Sequence, residues 1–312
     1  MMTDNSIGID ISKNFLDAHR LIDGAAARFG NTPAGFRKLT TWLGDDMPTR
    51  VVFEATGAYH RSFERAFSGK IPLVKVNPLQ ARRFAQACGT RVKTDEVDAR
   101  MLASFGSVLA LEPDRPIDGK QFELKELFSS RGGLIKDRIR LTNRLHTQSL
   151  ALVKRQTKAR IDQITRQLKT LQHDINKRLQ DCPSRARANT ILRSIPGIGE
   201  VAAATILIEM PEIGTLQKKK VASLTGLAPM TRQSGNWRGK ATIQGGRKQL
   251  RDALYMPALV ASRYNPDMCD KYQAMIKSGK PQKVALTAIM RKLIELANTL
   301  VKADREWVPN GT

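Results

Sequence analysis

Residues 6–13 read Ser-Ile-Gly-Ile-Asp-Ile-Ser-Lys, an apolar run that carries a single carboxylate, Asp10. The pattern predicts a buried strand, and burying an unpaired carboxylate in such a strand costs free energy. Asp10 is therefore either a strand-end residue that caps a turn or a carboxylate kept for its chemistry. The acids that follow it along the chain bear on this choice.

Three further acids form an ordered set with Asp10. Glu54 ends the apolar run 51–54, and Asp95 and Asp98 have the i,i+3 spacing that places two side chains on one helix face. Taken singly, Glu54 fits an exposed strand end, and Asp95 and Asp98 fit the first turn of a helix, where the macrodipole favours acids. Taken together, the four carboxylates predict a cluster that needs a cation. Mg²⁺, or Mn²⁺ in its place, is the kind of hard ion that oxygen ligands prefer, and two such ions can clamp an in-line phosphoryl displacement.

The charge of the chain indicates what such a site would act on. The sequence has 52 Lys+Arg against 29 Asp+Glu, a formal net charge of +23, which favours a polyanionic partner and nucleic acid above all. The excess is concentrated in residues 115–193, with 19 Lys+Arg against 7 Asp+Glu. Arg138, Arg140 and Arg144 are predicted to contact phosphates there in a salt-dependent way, the alternative being a solvated helical surface.

The 312 residues are enough for two or three domains. No apolar run is long enough to span a membrane and residues 1–5 lack the features of a signal peptide, so we expect a cytoplasmic protein without a membrane partner. Cys88, Cys182 and Cys269 lack the paired spacing of a zinc site or a disulfide framework and are expected to be reduced.

The first segment, residues 1–112, alternates strand-like and helix-like stretches. A hairpin is predicted around residues 12–14, followed by a third strand and by helices that alternate with two more strands. The predicted strands are 6–11, 15–21, 26–30, 51–54 and 71–76, and the predicted helices are 33–43, 59–67, 78–87 and 95–109. This order, a strand meander followed by helix, strand, helix, strand and helix, is typical of an α/β domain with the RNase H-like (RuvC-like) fold.

The second segment, residues 113–183, begins in a stretch with two prolines, which interrupt regular structure and predict a linker at 112–116. From residue 119 to 181 no proline occurs and apolar residues recur at spacings of three and four, which predicts a long helical pair or coiled coil. Its expected role is that of a spacer or dimerisation arm. The apolar positions are Leu134, Ile135, Ile139, Leu141, Leu145, Ile161, Ile164, Leu168, Leu171, Ile175 and Leu179.

The third segment, residues 184–312, is predicted to be mostly helical. Residues 195–199, Ile-Pro-Gly-Ile-Gly, lead into a helix of small residues in the pattern of a helix-hairpin-helix motif. In such a motif the glycines, here Gly197 and Gly199, let backbone N–H groups approach a phosphate at a helix N-terminus. A plain turn between two helices is the alternative.

A serine in a basic, glycine-rich stretch follows. Ser234 is the one serine in residues 231–251, and its hydroxyl would be open to a phosphate that guanidinium groups hold. The basic residues expected to contact nucleic acid in this stretch are Arg232, Arg238, Lys240, Arg247 and Lys248.

Five motifs resemble the DEDD transposases of bacterial insertion sequences, a family that includes bridge-RNA-guided recombinases and Piv-type DNA invertases. The first is Gly-Ile-Asp-Ile-Ser-Lys at 8–13, the second is Glu-Ala-Thr-Gly at 54–57, and the third is Lys-Thr-Asp-Glu-Val-Asp-Ala at 93–99. The fourth is the proline–glycine turn at 195–199, and the fifth joins Gly-Leu-Ala-Pro at 226–229 to Gln-Ser-Gly at 233–235. The resemblance covers nearly the full length of the chain.

The resemblance implies roles for the residues above. Asp10, Glu54, Asp95 and Asp98 would be the catalytic, metal-binding tetrad of a RuvC-like domain, and Ser234 would be the nucleophile that becomes covalently linked to a DNA phosphate. The implied reaction is recombination, in which the phosphoserine conserves bond energy for rejoining.

The resemblance also implies partners. These are donor and target double-stranded DNA, a noncoding bridge RNA, and further copies of the chain in a dimer or tetramer that grips two duplexes. Because Ser234 belongs to a different segment from the acids, the implied site is composite, completed within one chain or between chains. The implied location is the bacterial cytoplasm, at the nucleoid.

Other functions stay open on the sequence. A Piv-type invertase would use the same residues on an inverted segment, and a RuvC-like nuclease would use the four acids to activate water, with Ser234 incidental. Residues 7–10 also resemble the phosphate-binding hairpin of an actin-like sugar kinase, but no second phosphate loop follows, and +23 fits nucleic acid better than a sugar. An architectural DNA-binding protein would explain the charge but not the acids.

Overall fold

The computed structural model describes residues 4–55, 57–89 and 94–309. Thr56 and Lys93, which belong to two of the motifs above, lie outside the described residues. By its internal contacts the chain divides into two compact units, Met1–Phe122 and Glu123–Thr312. The division into three segments that the sequence suggests stays a prediction. No helix in the described ranges is long and apolar enough to cross a membrane.

The first unit contains one five-stranded sheet. Its strands are β1 (Ser6–Ile11), β2 (Phe15–Arg20), β3 (Ala26–Gly30), β4 (Arg50–Glu54) and β5 (Leu73–Val76). In space they follow the order β3-β2-β1-β4-β5, with β1, β2 and β3 in an antiparallel meander and with β4 parallel to both β1 and β5. The first hairpin is tight because the Oγ of Ser12 accepts a hydrogen bond from the backbone N–H of Phe15 at 3.0 Å.

Four helices pack on this sheet. They are α1 (Pro33–Leu43), α2 (His60–Phe67), α3 (Pro78–Ala87) and α4 (Asp95–Val108). Threonine side chains begin two of them: Thr32 accepts from the backbone N–H of Gly35 at 3.2 Å, and Thr94 accepts from that of Val97 at 3.3 Å. Each cap satisfies one of the N–H groups that the first turn of a helix leaves unpaired.

Alternate residues of β1 face opposite sides of the sheet. The three isoleucines of β1 pack in a core with Leu39 of α1 and Phe63 of α2. Gly8 and Asp10 face the other side, where α4 lies so close to β1 that a Cβ at Gly8 would collide with the backbone of α4 at Ala99. Glycine at this position lets α4 approach, and the approach brings the first turn of α4 near Asp10.

The predicted α/β class of this unit and the order of its strands and helices are confirmed. The ends of five elements differ by one or two residues. The strands predicted at 15–21 and 51–54 span Phe15–Arg20 and Arg50–Glu54, and the helix predicted to end at residue 109 ends at Val108. The helix predicted from residue 59 begins at His60, and the strand predicted from residue 71 begins at Leu73. The preceding Pro72 has no N–H to donate to a ladder, although its carbonyl accepts from Val51 at 2.8 Å.

The second unit is mostly helical, as predicted. Its long helices are α5 (Gly119–Thr147), which starts just before the division at residue 122, and α6 (Ala151–Gln180). Shorter helices follow: α7 (Pro183–Ser194), α8 (Glu200–Glu209), α9 (Lys218–Leu224), α10 (Lys248–Ala253), α11 (Tyr255–Tyr264) and α12 (Pro266–Lys277), before α13 (Gln282–Lys302). Between α9 and α10 lie two small sheets, β6 (Pro229–Met230) with β9 (Thr242–Ile243) and β7 (Gln233–Ser234) with β8 (Trp237–Arg238).

The two long helices differ along their length. Leu124 of α5 and Ile175 and Leu179 of α6 are buried in one core with side chains of α7, α8 and α13. Toward the turn between the two helices, Ile139 and Leu152 expose 54% and 56% of their surface. Two long helices are present where the sequence predicts an arm, and a coiled coil between them stays a prediction.

Candidate active site

Asp10 and Glu54 lie at the carboxyl ends of neighbouring parallel strands. Ile9 on β1 is in register with Phe53 on β4, so the two acids occupy the next position of each strand. The carboxyl ends of parallel strands in an α/β sheet share one edge, where ligands commonly bind. Sheet topology therefore brings these two carboxylates together although 43 residues separate them in the sequence.

Asp95 and Asp98 complete the cluster from the first turn of α4. Their influence is visible at Asp10, whose pKa is raised to about 6. Burial is the largest cause, and four neighbouring carboxylates add to it, in decreasing order Asp98, Asp95, Asp17 and Glu54. The structure thus places the other three sequence-predicted acids, Glu54, Asp95 and Asp98, within electrostatic range of Asp10. At neutral pH such a cluster is negative and attracts cations.

Asp17 is a fifth carboxylate, which the sequence pattern does not single out. It pairs directly with Asp10 across the β1–β2 hairpin, so both side chains lie on the same face of the sheet. One oxygen of Asp17 accepts from Nε of Arg28 at 2.7 Å, and the other is buried without a hydrogen-bond partner among the described residues. Arg28 also donates to Asp95 at 3.0 Å and so links the hairpin to the first turn of α4. The register of the tight hairpin is the signal from which Asp17 could have been found.

The donor set of this cluster fits a hard divalent cation. All four predicted ligands are carboxylates, and their repulsion contributes to the raised pKa of Asp10. Within residues 4–55, 57–89 and 94–309, however, no group of three or more His, Cys, Asp or Glu side chains is arranged to hold a metal ion. One oxygen of Asp95 is held by Arg28 in an exposed ion pair. The carboxylates fit a metal by their chemistry, and their side chains would have to close around it.

Ser234 lies at the end of a small hairpin in the second unit. Strands β7 and β8 pair Ser234 with Trp237, and a two-residue turn with Gly235 at φ 54° joins them. A positive φ of this kind suits glycine and the tight turns of hairpins. Ser234 is exposed, as are the basic residues Arg232, Arg238 and Lys240 around it. Here the structure gathers a hydroxyl and three cations on an accessible loop.

Arg247 and Lys248 have protein partners. The guanidinium of Arg247 donates to the carbonyl oxygen of Glu209 at 2.6 Å and forms an ion pair with Glu212 at 2.6 Å, which ties the end of the loop to the end of α8. Lys248 forms an exposed ion pair with Asp252 one turn further along α10. Their predicted contact with nucleic acid stays a prediction, and Arg247 has a structural role that the sequence did not reveal.

The two glycines of the predicted helix-hairpin-helix have different surroundings. Gly197 has φ 107°, and a Cβ there would lie 2.6 Å from the carbonyl oxygen of Pro257 and 2.9 Å from the Cβ of Ala261. Close packing of the turn against α11 therefore requires glycine at 197, whatever the turn binds. Gly199 is the N-terminal cap of α8 and has open space around it. Of the two, Gly199 is the better placed for a phosphate, a role that stays a prediction.

The three arginines predicted on the arm lie on α5. Arg140 and Arg144 are exposed and one turn apart, and Arg138 is half-buried. Arg140 has a long ion pair with Asp137 at 3.5 Å, which at such an exposed position stabilises little. Arg140 and Arg144 are therefore accessible to a polyanion along one face of the helix.

Comparisons with known proteins identify the family that this chain resembles over most of its length. Residues 189–273 match a family model described as "Transposase IS116/IS110/IS902 family", and residues 7–153 match the DEDD model of IS110 proteins, described as "Transposase". A pilin gene-inverting protein of Moraxella bovis is 31% identical, and one of Moraxella lacunata is 32% identical, each over 98% of this chain and 98% of its own. The transposase for insertion sequence element IS1328 of Yersinia enterocolitica is 23% identical over 81% of this chain and 83% of its own.

Proposed function

Because this chain belongs to the IS110 family of DEDD transposases, together with the pilin gene-inverting proteins, we propose that it cuts and rejoins DNA through a covalent link to Ser234. The observation that carries the proposal is the hairpin that presents the exposed Ser234 hydroxyl together with the exposed Arg232, Arg238 and Lys240. The acids around Asp10 support metal-dependent cleavage, because perturbed carboxylates cluster at functional sites.

The four acids would hold Mg²⁺ or Mn²⁺, which, when bound, supplies charge stabilisation to the attacking and leaving oxygens. Different kinds of structure position the four acids. Asp10 and Glu54 are fixed by the central strands of the sheet, whereas Asp95 and Asp98 depend on the capped first turn of α4. Asp95 also forms an ion pair with Arg28 through one of its two carboxylate oxygens.

Ser234 would attack the scissile phosphate from the exposed hairpin. The bond between Oγ and phosphorus forms as the bond from phosphorus to the departing strand end breaks, and the serine proton passes to water while the departing oxygen takes up a proton. The hydroxyl of another strand end then attacks the phosphoserine, which forms a new phosphodiester and restores the serine. One phosphoester replaces another, so no external energy source is required. Arg232, Arg238 and Lys240 would hold the phosphate and stabilise its developing charge.

The partners follow from charge and family. A chain with a formal charge of +23 is expected to bind donor and target DNA through phosphates. We further propose that a bridge RNA selects the DNA sites and that the active form is a dimer or tetramer. The recombination reaction would take place in the bacterial cytoplasm, at the nucleoid.

Inversion of a DNA segment is the second candidate, and the nearly full-length similarity to the two pilin gene-inverting proteins favours it. The chemistry at Ser234 would be the same in both cases. Simple hydrolysis by a RuvC-like nuclease is a third candidate, because the acid cluster alone could activate water. Recombination leaves the cut DNA end attached to the protein, whereas hydrolysis leaves a free DNA end, and this difference distinguishes the two reactions.

The test is capture of the covalent intermediate. The full chain is incubated in Mg²⁺ with a fluorescent duplex made from the DNA that flanks its gene, and the reaction is stopped midway with denaturant. We expect DNA attached to the protein, and we expect Ser234→Ala to lose both this adduct and the rejoined product. Ser223→Ala removes an exposed serine of α9 in the same unit and should change neither.

A nuclease would behave differently. It would leave free DNA ends, make no adduct, and cut equally well with Ser234→Ala. That pattern would replace the recombinase proposal with hydrolysis.

A further inference from the structure

Trp237 is an exposed aromatic residue beside the candidate nucleophile. It exposes 59% of its surface, whereas tryptophans in folded proteins are mostly buried. Because Trp237 pairs with Ser234 across the β7–β8 hairpin, their side chains lie on the same face and close together. None of the roles given above to the loop uses this ring.

The backbone holds the ring in place. Gly239 lies two residues after Trp237, and a Cβ there would collide with the six-membered ring, so the ring rests on the backbone at this glycine. The N–H of Gly239 donates to the carbonyl oxygen of Arg232 at 2.9 Å, which continues the pairing of the hairpin by one more position. A tryptophan that is fixed on one side and accessible on the other has little conformational freedom left to lose on binding.

The charged residues around the ring indicate which kind of ligand would bind there. By the alternation of the paired strands, Arg232 belongs to the same face as Ser234 and Trp237, whereas Arg238 and Lys240 are exposed on the other face of the same hairpin. A flat aromatic surface that shares its face with Arg232, on a hairpin with two further exposed cations, fits a ligand that is both flat and anionic. Nucleotides have this combination, and sites for unpaired nucleic acid pair stacking aromatics with basic grooves.

We propose that Trp237 stacks on an unpaired nucleobase of the DNA, next to the phosphate that Ser234 attacks. This inference rests on the proposed function and adds that the β7–β8 hairpin contacts a nucleobase of the DNA substrate as well as its phosphate. A base reaches the ring only after it leaves the duplex stack, so the site recognises a strand that is opened at the break. Stacking would then fix the nucleotide while its phosphate is held by the arginines.

The test distinguishes the contribution of the nucleobase to binding from that of the phosphate. Binding of the full chain is measured by fluorescence anisotropy with oligothymidylate of about ten nucleotides, within the usual size of such sites, and with an abasic phosphodiester of equal length and charge. We expect the wild type to prefer the oligothymidylate by about tenfold, in the range of alanine substitutions at stacking sites, and Trp237→Ala to lose this preference. Trp237→Phe should keep most of it.

Tyr264→Ala is the matched control, because Tyr264 is an aromatic on α11 with 72% of its surface exposed, and it should keep the full preference. A preference that survives in Trp237→Ala, or that is absent from the wild type while both oligomers bind, would overturn the stacking site and leave the proposed function standing. Stronger preference for an oligouridylate would overturn the assignment to DNA. Failure to bind either oligomer, together with failure to cut DNA, would overturn the proposed function as well.

Discussion

Asp10 lies on a strand whose isoleucines are buried between a sheet and two helices, whereas Ser234 lies on a strand of two residues that is exposed along its length. The acids are held by elements that pack from several sides. The serine is held by a hairpin turn and by its neighbours in the loop. The chain thus anchors one candidate region on its packed sheet and presents the other on a surface loop.

The difference follows from the charges involved. Carboxylates that converge repel one another, so only a packed framework keeps them together before a cation arrives. A hydroxyl surrounded by cations has no such repulsion to overcome, and an exposed loop can adapt to the shape of its DNA. We therefore expect substitutions in the acid cluster to affect chemistry and stability, and substitutions in the exposed basic regions to affect binding.

The largest expected effect is on cleavage. Asp10→Ala should lower the rate of DNA cleavage by more than about 100-fold, since even the loss of residues that only support metal ligands reaches that size. Binding of DNA, measured by gel shift, should be nearly unchanged. Asp46→Ala removes an exposed acid of the same unit and serves as the control. Undiminished cleavage by the Asp10 variant would remove the cluster from the mechanism.

The packing of α4 on β1 predicts the next effect. Gly8→Ala should lower the free energy of unfolding by about 3 kcal/mol, because its Cβ meets the backbone of α4 and forces the helix away from the strand. Chemical denaturation gives this value. Gly133→Ala on α5, where a Cβ meets nothing, should instead be neutral or raise stability by roughly 0.5 to 1 kcal/mol. Equal values for the two variants would contradict the close approach of α4 to β1.

The pKa of Asp10 predicts a smaller, pH-dependent effect. Its value is raised from 3.8 to about 6, so the folded protein loses stability as the pH rises between these values and stays lower above them. Asp10→Asn removes the charge and should be more stable than the wild type above pH 6 by about 1 to 2 kcal/mol, after allowance for solvent screening. Below pH 3.8 the two should be equal. A stability difference that is the same at both pH values would show that repulsion is not its cause.

The arm predicts an effect on binding alone. Neutralising Arg138, Arg140 and Arg144 together should weaken DNA binding and reduce the slope of log affinity against log salt by about 0.9 for each phosphate that the arm no longer neutralises. The control neutralises Lys277, Lys280 and Lys283, which are exposed and carry the same total charge. An identical slope change in both variants would mean that net charge, rather than this face of α5, sets the salt dependence.

The sequence predicted the packed region better than the exposed one. Strand β1 and helix α4 have strong signals, since an apolar run and a Thr94 cap are local features. Asp17 was missed because its relation to Asp10 depends on hairpin register, which a hydrophobic pattern does not fix when the strand is buried on both faces.

For the loop around Ser234, sequence-based prediction fails for a different reason. Strands of two residues are too short to show any periodicity, so β7 and β8, and with them the pairing of Ser234 with Trp237, could not be predicted. The helix-hairpin-helix pattern predicts a phosphate contact for Gly197, and the basic, glycine-rich stretch predicts one for Arg247. The packing of Gly197 against α11 and the bonds of Arg247 to Glu209 and Glu212 are long-range interactions that no local pattern encodes.

The central claim is that the half-buried acid cluster and the exposed serine serve the same cleavage reaction. The most direct measurement is the yield of the covalent protein–DNA adduct in Asp98→Ala, with Ser234 intact and with DNA binding checked in the same sample. The account predicts that this variant binds DNA and forms no adduct. An adduct at the wild-type yield would show that Ser234 reacts without the acid cluster, and it would contradict the claim.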